Sequence, residues 1–369
     1  MLAVQQYLLT NSFDDLGNEL GIKVTLHESL PLAILNYSMI DSPKTHPVVR
    51  ECRGLVLHTE THEVVAKSFS RFFNWGEVAE EMDDFDFTDF SVQSKEDGSL
   101  VLLYHFDGKW CANTRGSFAI DAMQFQSFTW REAICKAAGE SNLEDVGMPL
   151  NPDYTFVCEF CSPWNKVVRR YEKPVLYLLS AFNNKTLEEL TPAQCDGFAG
   201  SAGMLRPEVY EFKSIEEIQE FLREQAENDP TYEGVVIRDR HNHRWKIKSA
   251  TYLGLHRLKG NDTFNPKHLL PFILAGEEDE LLTYFPEVKE TFYEAKCRVL
   301  EEYIGVLETW ADHHTIEDQK EFALSIKDDT AFSSVLFNVR KKHGKVQLAR
   351  DVRQEWRESD QLILKRLFK

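Results

Sequence analysis

Three lysines, two glutamates and an arginine stand in stretches whose neighbours are mostly apolar. Lys95 lies in "SVQSKEDGSLVLLYHF" (91–106), between a run that alternates apolar and polar residues and one that is plainly apolar, at the tip of what reads as a strand pair. Lys246 and Lys248, in "WKIKS", fall on one face of a strand because strand side chains alternate with period two. A lysine amine is a poor nucleophile at neutral pH unless desolvation or neighbouring cations lower its pKa. If the face carrying Lys246 and Lys248 meets Lys95, three ammonium groups converge. Such a cluster is unstable unless an anion sits among them, and a triphosphate is an obvious one. Glu159 in "FVCEFC" and Glu233 in "YEGVVIR" are acids set in apolar strands, suspects for ribose hydroxyls, cations or a metal. Arg53 in "ECRGLVL" is their basic counterpart. Taken singly, each is also explained as an outward-facing residue of an antiparallel strand.

The elements that must position these residues are short β-branched and aromatic runs bounded by turns, from about residue 50 to 250: "RGLVLH", "EVVAKSF", "KWCANTRG", "YTFVCEFC", "VLYLLSAFN", "EGVVIRD" and "RWKIKSA". Helical spacing interrupts them at "DAMQFQSFTWREAICKAAGE" and "SIEEIQEFLREQAEN". The pattern implies an α+β domain on mostly antiparallel sheet with helices packed outside. Beyond Tyr252 the character changes. Val288, Phe292, Ala295, Val299, Tyr303, Val306 and Trp310 recur in steps of three and four and define one helix face. Two domains are expected, 1–255 and an all-helical 256–369, with the boundary near 250 to 265.

The 369 residues, 43% hydrophobic and 28% charged, are enough for two or three folded domains and exclude long disorder. No apolar run approaches the roughly 18 to 20 residues that span a bilayer, and the first residues lack a signal-peptide pattern. A cytoplasmic, monomeric protein without membrane contact is expected. Seven scattered cysteines fit reduced thiols. Cys158 and Cys161 have CxxC spacing but read as strand residues with no further ligand motif, and His241 and His243 read as a solvated turn. A net charge of −18 argues against a surface that grips nucleic acid everywhere. Acid concentrates in "GEVAEEMDDFDFTDF" and "AGEEDE", whereas residues 238–259 hold seven Lys or Arg against one Asp, and "NKVVRRYEK" and "RKKHGK" are basic too. An acidic body with local basic patches suits an enzyme that holds a polyanion at a defined site; a charged helix face would look the same.

The order of these pieces is more specific than any one of them. "KEDG", a glutamate in an apolar strand about 60 residues on, then "EGVV" and "KIK" make the pattern of the covalent nucleotidyltransferases. Within that superfamily the chain resembles the bacteriophage RNA ligase 1 family of tRNA-repair enzymes. The likeness extends to "ECRG", "SRFFNWGE", "YEGVVIR", "KIKSATYLGLH" and "NPKHLL" leading into "AGEEDEL", from about Tyr37 to Leu281. It implies an antiparallel-sheet nucleotidyltransferase domain of the ATP-grasp-like ligase kind, followed by the helical domain. DNA ligases and capping enzymes would instead follow "KIK" with an oligonucleotide-binding barrel, which the helical periodicity after 285 opposes.

By this likeness Lys95 attacks the α-phosphorus of ATP, expels pyrophosphate and carries AMP as a phosphoramidate. The resemblance has Gly98 turning the chain beneath the nucleotide, Lys246 and Lys248 on phosphate oxygens, Arg53 at the ribose or phosphate side, and Glu159 on a ribose hydroxyl. It has Glu233 holding Mg²⁺, for which Mn²⁺ can substitute, with Asp279 as a second metal contact or a plain acidic turn. Val236 is expected as one adenine wall and Tyr177 or Leu179 as the other. Tyr37, Arg71, Phe73, Arg115 and Tyr252 match further family positions near the nucleotide. Arg71 and Arg115 stand where the family commonly has lysine, which keeps the charge but not the geometry.

The implied reaction has three steps: enzyme adenylylation, transfer of AMP to a 5′-phosphate end, and attack by a 3′-hydroxyl with release of AMP. The implied partner is nicked tRNA or single-stranded RNA. The alternatives are DNA ligation or RNA capping, and a catalytically silent RNA-binding protein on the same fold.

Overall fold

In the computed structural model the described residues are the whole chain apart from 123, 126–127, 166–168, 170, 230, 250–251, 253–265, 285–287, 328–329, 344–348 and 369. The chain divides into two compact units, Met1–His256 and Arg257–Lys369. The expected boundary and most of "KIKSATYLGLH" lie outside the described residues, as do parts of "NPKHLL", "NKVVRRYEK" and "RKKHGK".

The first unit carries three main sheets. Strands β1 (Ile22–Leu26), β2 (Leu32–Tyr37), β3 (Arg53–His58) and β4 (Val64–Ala66) form an antiparallel sheet in sequence order. Next along the chain come β5 (Phe73–Asn74), β6 (Phe90–Ser94), β7 (Ser99–Phe106), β8 (Lys109–Thr114), the short pair β9 (Gln124–Phe125) and β10 (Phe128–Thr129), β11 (Tyr154–Cys161) and β12 (Val175–Asn183). Strands β13 (Val209–Tyr210), β14 (Gly234–Asp239) and β15 (Arg244–Lys248) complete the unit. The second sheet has the order β12-β11-β7-β8 and the third β13-β6-β14-β15-β5. Among the described residues these strands pair with one another antiparallel except β15 with β5.

Alternation along each strand decides what each face meets. On the second sheet Val101, Leu103, Phe156, Cys158 and Leu178 pack under the helices Trp130–Ala138 and Pro192–Ser201. Its other face puts Leu100, Leu102, Tyr104 and Val157 against Leu32, Ile34, Val56 and Ala66 of the first sheet. On the third sheet Val92, Val235, Ile237, Trp245 and Ile247 are covered by the helix Ile215–Asn228. The opposite face is left to Val236, Arg244, Lys246 and Lys248, all partly exposed.

Two expectations are corrected. Among the described residues of 121–140 the helix starts at Trp130, where Thr129 accepts the Glu132 N–H and Glu132 reaches back to the Thr129 N–H in a capping box, and β9 and β10 precede it. The runs flanking Lys95 are not paired with each other. Strand β6 pairs with β14 and β13, and β7 with β11 and β8, so Lys95 sits where the chain crosses from one sheet to another.

The helices are the only regular elements among the described residues of the second unit, arranged around the helix Lys289–His313. Phe292, Ala295, Val299 and Val306 are buried on its inner face, with Tyr303 and Trp310 partly buried beside them, as the spacing predicts. No helix among the described residues is long and apolar enough to cross a membrane.

Candidate active site

The crossover loop 95–98 is held from several sides. The Lys95 N–H donates to the Gly234 carbonyl at 2.9 Å, and the Ser249 N–H donates to the Glu233 carbonyl at 2.9 Å, so Glu233–Gly234 lies between the backbones of the two lysine-bearing segments. The side chains follow. Lys95 Nζ is 2.8 Å and Lys248 Nζ 3.4 Å from the same Glu233 Oε1. All three are largely withdrawn from water: 22%, 15% and 6% of the Lys95, Lys248 and Glu233 side chains remain accessible. The anion that lets the lysines gather is thus supplied by the protein itself, a role that the strand pattern of "YEGVV" does not disclose.

Gly234 makes this arrangement possible. Its φ is +144°, and a Cβ there would stand 2.2 Å from the Ile247 carbonyl oxygen. Replacing it with alanine would strain the backbone by about 1–3 kcal/mol and push β14 from β15, moving Glu233 from its lysines. Gly234→Ala is expected to lower Tm and to cut activity on the order of 10²-fold; a fully active, equally stable variant would remove the constraint. Gly98 also has a steric reason for being glycine. A Cβ would meet the Phe160 carbonyl oxygen at 2.3 Å, so the loop lies directly on β11.

That contact brings in Glu159, whose Oε1 accepts the Gly98 N–H at 3.2 Å. In the ladder Glu159 stands opposite Leu100 on β7 and Tyr177 on β12, so Tyr177 shares its face, and Leu179 two residues on packs with the Val157–Phe182 cluster. Burial pushes the Glu159 carboxyl up to about 7; Glu233 adds to this, while Lys95, Arg53 and the Gly98 N–H oppose it. A carboxyl that holds its proton more tightly folded than unfolded stabilises the fold at low pH, and that contribution is lost as pH rises from the ordinary carboxylate range through about 7. Glu159→Gln is therefore expected to gain several degrees of Tm on the wild type between about pH 5 and 8. Parallel Tm curves across that range would show that burial does not govern this group.

The two acids of "KEDG" were not singled out by sequence. Glu96, 7% exposed, accepts from Ser94 Oγ at 2.6 Å and Tyr171 OH at 3.0 Å and lies 3.8 Å from Arg169. Asp97, 4% exposed, accepts from Tyr252 OH at 2.9 Å and the Arg169 N–H at 2.7 Å. Both hold the lysine loop rather than face solvent. Tyr252 accordingly reaches the loop, with Lys248 Nζ 5.9 Å from its ring centroid.

Arginines gather on Tyr37. The Arg71 guanidinium lies 4.4 Å and Arg115 5.8 Å from its ring centroid. Planar guanidinium groups suit such stacking, which gives a physical reason for arginine at both positions. Burial holds Arg53 and Arg71 below the ordinary arginine value, and the Arg115 charge pushes both the same way. Phe73 is 2% exposed and belongs to the core under β15; the ring that meets Arg53 (5.5 Å) and Lys246 (5.3 Å) is its neighbour Phe72. Val236 pairs directly with Lys246 and shares its face. Asp279 lies in the helix Glu278–Tyr284 of the second unit. Cys158 and Cys161 are buried free thiols, and His243 pairs with the buried Asp239 at 2.9 Å.

Lys95, Glu233 and Lys248 thus meet directly, with Glu159 beside them; the arginines and Tyr37 form a second group coupled to the first by the charges of Arg53 and Glu159. The arrangement offers a rigidly held amine, clustered cations for phosphate oxygens, and carboxylates for hydroxyl groups or a cation.

The sequence profile of the RNA ligase family matches residues 51–252. Over 332 residues the chain is 30% identical to a protein of Autographa californica nuclear polyhedrosis virus whose name describes a bifunctional polynucleotide kinase/RNA ligase, covering 86% of this chain and 45% of that one. It is 26% identical over 303 residues to an RNA ligase of Rhodothermus phage RM378, covering 66% of this chain and 68% of the relative. An archaeal ATP-dependent RNA ligase structure aligns over 79% of this chain and 82% of its own, at 14% identity and a TM-score of 0.47. The chain spans less than half the length of the baculovirus relative. The family match covers more than half of the chain and includes Lys95, Glu159, Glu233, Lys246 and Lys248, so the chain belongs to the RNA ligase family, of the bacteriophage RNA ligase 1 type.

Proposed function

We propose that the chain is an ATP-dependent RNA ligase that joins 5′-phosphate and 3′-hydroxyl ends through a lysyl-AMP on Lys95. The observation that carries the reading is the ion-paired cluster of Lys95, Glu233 and Lys248, buried between two sheets in a member of this family. Lys95 is the nucleophile, held by its own backbone and by Glu233. Lys246 and Lys248 face the departing phosphates from one side of β15, and Arg53, Arg71 and Arg115 supply further positive charge around Tyr37. Positioning and cationic stabilisation are what nucleotidyl transfer chiefly requires. Glu159 and Tyr177, opposite each other on one face, suit a ribose hydroxyl and one wall for adenine, with Val236 as the other wall.

A divalent cation, Mg²⁺ with Mn²⁺ able to substitute, fits the donor set. No three His, Cys, Asp or Glu side chains gather among the described residues, but Mg²⁺ shared with nucleotide phosphates asks for only one or two carboxylates. Glu233, with Glu159 near enough to feel its charge, is such a set, and Asp279 is kept as a further candidate. When bound, the cation would neutralise phosphate charge.

The test is to incubate the protein with Mg²⁺ and ATP labelled at the α-phosphate. Acid-labile, alkali-stable label on the denatured chain is expected. Its absence, from protein first stripped of AMP with pyrophosphate, would put the RNA-binding reading first. The helical unit is assigned to recognition of a structured RNA. The full chain should join a nicked tRNA with higher kcat/KM than a plain single-stranded oligonucleotide, and equal values would remove that role.

A further inference from the structure

A cleft of about 810 Å³ in the first unit shares Arg71 and Phe72 with the surroundings of the proposed nucleotide site and continues to Lys67, Phe69, Phe182 and Arg244, without including Lys95, Glu159 or Glu233. Besides Asp84, its acids are engaged: Glu189 pairs with Arg244 and accepts from Ser180 Oγ, Glu188 accepts from Thr186 Oγ1 at 3.2 Å, and Glu81 pairs with Arg50 at 3.0 Å. Two of its cations are not. Lys67 Nζ rides 3.8 Å from the centroid of Phe182, donates to the Ser68 carbonyl at 3.3 Å, and has no carboxylate within ion-pair distance among the described residues. Arg71 is 2% exposed, and its Nη1 has no hydrogen-bond partner among the described residues. The cleft thus holds two cations that no carboxylate pairs among the described residues, although its four lysine and arginine side chains are matched in number by four acids.

We propose that this cleft is a subsite for the RNA strand, with Lys67 and the unpartnered Arg71 Nη1 taking backbone phosphate oxygens and Phe72 offering its ring to a base. The proposal rests on the ligase reading of the Lys95 site. A phosphate alone would account for the cations but not for the aromatic lining. Cations interleaved with phenylalanine rings are the chemistry by which single strands are held, through phosphate neutralisation and base stacking. The volume is of the size that takes a ligand of a few hundred daltons, well above what a pyrophosphate needs. Burial also pulls the Lys67 amine down to about 8, with Arg244 pushing the same way and Glu189 opposing, so a bound phosphate has a charge to restore there.

The test uses the full chain and a 5′-phosphorylated RNA oligonucleotide. Lys67→Met is expected to bind it about tenfold more weakly and to lower the slope of log affinity against log salt by about 0.7, while Lys67→Arg binds as the wild type does. Label transfer from ATP to Lys67→Met should keep the wild-type KM for ATP. In the wild type, where no variant has to fold, the oligonucleotide should protect Lys67 from acetylation and ATP or pyrophosphate alone should not. Wild-type affinity and slope in Lys67→Met would overturn the subsite. So would protection by ATP without protection by RNA, with a raised KM for ATP in Lys67→Met, since the cleft would then hold the triphosphate tail. A wild-type protein that takes no label from ATP would sink the ligase reading itself, whereas the affinity, the salt slope and the protection pattern report on the cleft separately.

Discussion

Lys95→Ala is expected to take no label from α-labelled ATP, a loss of more than about 10³-fold, because no other amine lies where the cluster holds this one. The fold should survive the change. Glu233 keeps Lys248 as a partner at 3.4 Å, and the backbone bond from residue 95 to Gly234 does not depend on the side chain. A melting curve close to the wild type's would establish that the loss is chemical. The same variant, supplied with RNA already carrying a 5′-adenylate, should still join ends, since the lysine's bond to AMP has been bypassed. If Lys95→Ala still joined ordinary 5′-phosphate ends, the covalent mechanism would be abandoned.

Glu233→Ala should fail in both assays. The carboxylate is the shared counter-ion of two ammonium groups that are each less than a quarter exposed, and removing it takes from both the acid that they share. Breaking a buried ion pair by deleting one partner costs roughly 3 kcal/mol or more. The activity loss should be larger than that cost alone explains, on the order of 10²- to 10³-fold in label transfer and again in joining of adenylated RNA, because the positions of Lys95 and Lys248 depend on this group at every step. Glu233→Gln separates shape from charge: restored Tm with activity still lost would assign the effect to the carboxylate's charge. If Glu233→Ala joined adenylated RNA at the wild-type rate, Glu233 would be confined to the first step.

The sequence by itself determined the chemistry-bearing residues and the kind of elements that hold them. Period-two alternation placed Lys246 and Lys248 on one strand face, and the three-and-four spacing from Val288 to Trp310 marked the long helix, because both patterns record local geometry and burial of one face. Charged residues in apolar surroundings, costly there unless they have a partner, drew attention to Lys95, Glu159 and Glu233, and the resemblance of the ordered motifs to the covalent nucleotidyltransferases gave them roles. Which partner it has is a matter of distance through space, and that only the tertiary structure decided. The crossing of Lys95 between two sheets, the Glu233 carboxylate shared by two lysines, the collisions that require glycine at 98 and 234, and the burial that raises Glu159 all join segments that are separate in the sequence. Likewise, "SRFFN" does not say which phenylalanine packs with Trp245 and which meets Arg53 and Lys246. The parallel pairing of β5 with β15 says it, by turning Phe73 under the sheet with Trp245 and leaving Phe72 toward Arg53 and Lys246. The run "EVVAKSF" does not mark Lys67 either; its place against Phe182 and in a cleft is a matter of tertiary structure.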